Sequence, residues 1–315
     1  MKQEVLLFDT TLRDGAQQVG VSFTKEDKIR IAAALDELGI HYIEGGWPGS
    51  NPKDIAFFED IKSTRLNCSK ISAFSSTRKA GINIRQDRNI ELLKLAETPV
   101  VTIFGKSWDL HVKAALQTSL QENLDMIHET VDYLGRYCDE VLYDAEHFFD
   151  GYKHNPDYAR ATVRAAESAG AKWIVLADTN GGTLTEDLSA IVQSIASDLT
   201  VPLGIHTHND AELAVANSLA AVNAGVTQVQ GTINGVGERC GNANLCSVMA
   251  NLELKTEYQT IGKENLKKLK KVSVVTGVKG NYAVPKNLPF VGKSAFTHKG
   301  GIHVSAVAKN PASYE

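Results

Sequence analysis

Along the chain, short runs of apolar and β-branched residues alternate with longer stretches whose apolar positions recur every three to four residues. The short runs read as strands: VLLFD (5–9), YIEGG (42–46), KISAFSS (70–76), VVTIFG (100–105), EVLYDAEHF (140–148), WIVLADT (173–179), LGIHTHN (203–209) and VQGTING (229–235). The longer stretches read as amphipathic helices. In KEDKIRIAAALDELG, Ile29, Ala33, Leu35 and Leu38 share a face, Thr24 with Asp27 forms an N-terminal cap, and Gly39 ends the helix. LTEDLSAIVQSIASDL and AELAVANSLAAVNAG repeat the arrangement, the second closing at Gly225. Strand–helix units over about 250 residues predict an α/β fold, a (β/α)8 TIM barrel over residues 1–258. An open doubly wound sheet has the same alternation, because a count of strands does not prove closure.

After residue 258 the alternation fails. KENLKKLKK, with Leu266 and Leu269 interleaved, reads as the wet face of an amphipathic helix. The tail that follows is rich in proline and glycine and predicts a partly irregular C-terminal subdomain over 259–315. Its abrupt end leads us to expect the catalytic portion of a longer polypeptide, with no regulatory domain.

Composition narrows the function classes. A net charge of -4 with scattered Lys and Arg leaves no footprint for nucleic acid or a membrane surface. No apolar run approaches the ~18 residues of a membrane span, and the N-terminus lacks a signal pattern, so we expect a cytoplasmic protein. Cys68, Cys138, Cys240 and Cys246 are widely spread without a CxxC pair, and read as reduced thiols.

Candidate chemistry gathers at strand ends, where parallel barrels keep their functional side chains. Strand ends carry Asp9, Glu44, Asp144, Glu146, His147, Asp178, Thr179, His206, His208 and Asn234. His206 and His208, at i and i+2, project to one side of their strand. Two imidazoles and a carboxylate suit a divalent cation (zinc, manganese or magnesium), and Asp9 is the natural third ligand. Two core histidines are the plainer alternative. In LFDTTLRDGAQ, the turn after Asp9 carries Arg13 and Asp14. The Gly-rich NGVGERCGNAN (234–244) either brings backbone close to a ligand or closes the barrel, with Glu238 and Arg239 as a structural ion pair.

With LFDTTLRDGAQ, HTHND, NGVGERCGNAN and FTHKGGIHVSAVAKNPASYE in this order, the chain resembles the DRE-TIM metallolyases, and within them the acetyl-CoA-dependent isopropylmalate, citramalate and homocitrate synthases. IEGGWPGSNPKD and Ala16 in DGAQ set it on the citramalate synthase side. The resemblance implies condensation of acetyl-CoA with pyruvate for isoleucine biosynthesis. 2-Oxoisovalerate in place of pyruvate, or an acyl-CoA lyase or aldolase reaction, are its alternatives. It implies Asp9, His206, His208 and Asn242 as metal ligands. Arg13, Asp14, Glu44 and Thr179 would hold the 2-oxo acid, and Glu146 would position the acyl group or a catalytic histidine. His303 and Tyr314 would reach a neighbouring subunit's site in a homodimer, His303 as the base. Tyr143 and Phe104, bulky residues at strand mouths, are the candidates for restricting the 2-oxo acid by volume.

Overall fold

The computed structural model describes residues 2–50, 52–310 and 312. Eight parallel strands close into a barrel: β1 Leu6–Asp9, β2 Tyr42–Gly46, β3 Lys70–Ser76, β4 Val100–Lys106, β5 Glu140–Glu146, β6 Trp173–Asp178, β7 Leu203–Thr207 and β8 Gln228–Gly231. Closure is made by β8 on β1, in register from Leu6↔Gln228 to Asp9↔Gly231, which rules out the open sheet. Beside the barrel, Gln3–Glu4 pairs with Tyr258–Gln259 in a small parallel sheet. No described helix is long and apolar enough to cross a membrane.

Alternation along the strands builds two apolar layers. Phe8, Tyr42, Val100 and Leu142 meet inside the barrel, with the Phe8 and Tyr42 rings stacked at 5.7 Å. Leu7, Ile43, Val101, Ile103, Val141, Tyr143, Leu176, Ile205 and Val229 face outward into a second layer shared with the helices. Side chains next to an inward residue therefore face the helices.

The helix Lys25–Leu38 carries the predicted capping box, and Gly39 ends it at φ 99°. Its buried face is Ile31, Ala32, Leu35 and Leu38 rather than one containing Ala33, which is exposed. The carboxylate of Asp36 near its end accepts the backbone N–H groups of Asn67, Cys68 and Ser69 and the side-chain amide of Asn67, fixing the loop that enters β3.

Four strands stop earlier than the sequence predicts, β6 by a single residue. His147 takes a left-handed φ of 55° after β5, and Asn234 takes 65° in a 3-10 turn after β8. Beyond β7, His208 pairs across to Asn242 as an isolated antiparallel bridge. The basic stretch forms a 3-10 turn, Lys263–Lys268, leading into the helix Leu269–Lys279, and the last described helix is Gly301–Lys309.

Candidate metal and substrate site

At the C-terminal mouth of the barrel lies a cavity of about 190 Å³, lined by residues from the turn after β1, by Trp47 after β2, by the ends of β3 to β7 and by Glu238 after β8. Asp14, His206 and His208 meet there, each able to offer one ligand atom within 4.8 Å of the others. His206 Nε2 is 3.2 Å and His208 Nε2 3.8 Å from Asp14 Oδ2, and the two Nε2 atoms are 3.3 Å apart. Burial opposes ionisation of Asp14, but Arg13, then His206 and His208, outweigh it and hold its carboxyl well below the usual range. Burial, then the neighbouring His206, pushes His208 down to about 4. For His206, burial is outweighed by Asp14, which raises it. Asn242 Oδ1, next to this cluster through the bridge to His208, is buried without a hydrogen-bond partner among the described residues. Two imidazoles, a carboxylate and an unpartnered amide oxygen are a donor set that fits a divalent cation.

Arg13 is held on three sides. Its Nε donates to Glu44 Oε2 at 2.7 Å, Nη1 lies 3.6 Å from Asp14, and the guanidinium stacks 3.8 Å from the centroid of Phe74. Phe74 stacks in turn on Phe104 at 5.2 Å, and Trp47 meets both rings edge-on. Glu146 pairs with Lys106 across the β4–β5 register, and Thr179 Oγ1 accepts the N–H of His147 at 2.8 Å. All of these except Glu44, Lys106 and His147 line the cavity.

A family described as HMGL-like matches residues 4–275. The chain belongs to this family. Residues 290–315 match a second one, described as homocitrate synthase post-HMGL domain-like. (R)-citramalate synthase from Aquifex aeolicus is 57% identical over 100% of this chain and 60% of that protein. The protein of the same name from Geobacter sulfurreducens is 57% identical over 99% of this chain and 59% of its own length. The chain thus spans about 60% of the curated relatives it matches. The crystal structure of Bacillus subtilis HMG-CoA lyase shares the fold, with a TM-score of 0.77 at 19% identity over 90% of this chain and 96% of that one.

Within this HMGL-like barrel, two expected side chains lie elsewhere. Phe8 faces inward, so Asp9 faces outward, where both its oxygens accept from Thr11 (N–H at 3.0 Å, O–H at 2.9 Å). Burial, only partly offset by Thr11, pushes its carboxyl up to about 7. Asp14, five residues on in the turn, takes the place beside the histidines that Asp9 was expected to fill. Tyr143 likewise lies between inward Leu142 and Asp144, is fully buried against the helices, and does not line the cavity; Phe104 does. Arg239 makes its close bidentate pair with Asp210, at 2.8 and 2.9 Å, rather than with Glu238 at 3.7 Å. His303 is exposed on the helix Gly301–Lys309 and does not line this cavity, while Tyr314 lies outside the described residues.

Sequence reasoning named Asp144 as a strand-end acid but gave it no role, and passed over Gln17, Trp47 and Gln230. Asp144 and Gln230 carried a usable signal. Each sits at i+2 from an inward-facing position at the end of a barrel strand.

Proposed function

We propose that this chain has the activity of an (R)-citramalate synthase, condensing acetyl-CoA with pyruvate and hydrolysing the thioester to release CoA. The observation that carries this reading is one cavity holding Asp14, His206 and His208, fixed Arg13 and an aromatic wall, in a chain 57% identical to proteins of that name.

Asp14, His206, His208 and the amide oxygen of Asn242 would hold a divalent cation. When bound, such an ion is a Lewis acid for a keto oxygen. Arg13, immobilised by Glu44 and Phe74, stabilises the negative charge that grows on that oxygen as the keto carbon is attacked. Thr179 receives the His147 N–H at its oxygen and keeps its own proton to donate to the substrate carboxylate. Phe74, Phe104 and Trp47 restrict the space beyond the keto carbon, which suits the methyl of pyruvate; each methylene is worth about 1–3 kcal/mol in such a choice. An adjoining cavity of about 250 Å³ shares Arg13, Gln17 and Trp47, and Lys53 lines it. It offers acetyl-CoA a way in, with a cation for its phosphates. Glu146, paired with Lys106, positions the acyl group or the base.

The base is His303 of a second copy in a homodimer. Supporting this are the exposure of His303 and its not being among the residues that line its own cavity. His303→Ala is expected to abolish CoA release while metal and pyruvate still bind by calorimetry; loss of pyruvate binding would make it a binding residue instead.

The deciding experiment is CoA release, read with a thiol-reactive dye, from acetyl-CoA with pyruvate or 2-oxoisovalerate, before and after EDTA. Release that needs pyruvate and is abolished by EDTA is expected. Preference for 2-oxoisovalerate would assign an isopropylmalate synthase. Silence with both, together with no binding of metal or pyruvate by calorimetry, would overturn the reading.

A further inference from the structure

The proposed metal site has a support that the reaction chemistry does not require us to assume. His206 can offer an Nε2 lone pair toward Asp14 and His208 only if its proton sits on Nδ1. That atom lies 2.9 Å from Gln230 Oε1. The other end of the same amide, Nε2, lies 3.2 Å from Asp144 Oδ1. Asp144 Oδ1 accepts from the Gln230 nitrogen, which leaves the Gln230 oxygen turned toward His206. That oxygen in turn accepts only from an Nδ1–H tautomer.

We propose that Gln230 is a positioning residue that sets the tautomer and ring orientation of His206, with Asp144 fixing the amide. Three features give the chain of contacts its rigidity. All three side chains are buried, Gln230 completely. Gln230 on β8 is the register partner of His206 on β7, so backbone pairing, not a loop, sets their approach. Asp144 comes from β5, so its contact with Gln230 crosses the barrel interior between strands that are not neighbours. Two residues earlier, Gln228 is equally buried, yet both atoms of its amide lack a partner among the described residues. An inward glutamine on β8 is thus not paired by default.

The proposal rests on the reading of Asp14, His206 and His208 as a metal site and is independent of the substrate. It is tested by zinc affinity, in competition with a chromogenic chelator at pH 8 with no substrate present. Gln230→Leu removes the acceptor and is expected to weaken zinc binding about 10- to 100-fold, the range for lost partners of metal-bound histidines. Exchanging the roles, Gln230→Glu with Asp144→Asn, keeps an acceptor for Nδ1–H and a donor between the two groups. This pair is expected to stay within about threefold of the original protein. In the zinc-loaded original, 15N spectra should show a protonated Nδ1 for His206. Should Gln230→Leu fail to fold, Gln230→Met serves in its place. Undiminished zinc binding by the apolar variant, or an exchanged pair as weak as that variant, would overturn the proposal. If the original protein binds no zinc, manganese or magnesium, the metal-site reading fails first and takes this one with it.

Discussion

Asp36 and Asp144 are both buried aspartates of one barrel, and they are treated in opposite ways. Asp36 lies at the end where the strands begin and accepts four N–H groups from Asn67, Cys68 and Ser69. Burial alone would raise its pKa, but these donors outweigh it and hold the carboxyl well below the usual range. Asp144 lies at the other end and, among the described residues, accepts from a single donor, Gln230. Burial, then the charge of Glu44, pushes it up to about 7, against the weaker pull of His206, Arg13 and Gln230. The contrast separates two uses of a buried charge. Where a carboxylate is fully satisfied by backbone, it closes a loop. Where it is left short of donors among other titratable groups in a cavity, its pKa is pushed up instead, the pattern of a candidate functional site.

The larger expected effect is at Asp36. Asp36→Ala would leave three backbone N–H groups and an amide without their acceptor, costing about 3 kcal/mol in urea unfolding after partial replacement by water. CoA release by the folded protein should not change. The sign of the pH dependence follows from the depressed carboxyl. Its contribution is complete above the unfolded value near 3.8 and is lost as pH falls below it. The gap between the original and the variant should therefore narrow only below about pH 4. A gap as wide at pH 2 as at pH 7, or a variant that folds normally but has lost turnover, would erase the distinction between the two ends.

The fold was legible because period is a property of the sequence. Apolar runs and 3.6-residue faces gave the strand–helix alternation, and Thr24, Asp27 and Gly39 marked one helix at both ends. Barrel closure was not legible, since it depends on Leu6 to Asp9 meeting Gln228 to Gly231 across the whole chain. At the site, His206 and His208 were found from spacing alone. Asp9 was chosen over Asp14 because both acids sit close to a strand end; a side chain's face changes with every residue along a strand, so a single step decides between cavity and helix layer. Leu142 and Asp144 point inward and Tyr143 does not for the same reason. Periodicity in an apolar strand cannot tell which of two alternating sets is inside when both are buried. The Asp14 turn has no period at all, and only the folded chain returns it to the histidines.

The smaller expected effect is at Asp144, and it runs in the other direction. A carboxyl whose pKa rises from 3.8 to about 7 on folding costs nothing while protonated in both states, and costs most when ionised in both. Stability is therefore lost as pH rises between those values. At ~1.4 kcal/mol per unit the shift bounds the cost near 4 kcal/mol, and water reaching the cavity lowers the expected figure to about 2. Asp144→Asn should then match the original protein at pH 4 and exceed it by about 2 kcal/mol at pH 8, measured by urea unfolding with chelator present so that no metal contributes. Turnover should fall, because Gln230 loses the carboxylate that orients its amide. A variant that is no more stable at pH 8 than at pH 4 would show that Asp144 is as well solvated as an ordinary surface acid, and the two ends of the barrel would then differ in address only. A variant that gains stability and loses turnover would show that the strain at this end of the barrel is what the site uses to keep its histidine aligned.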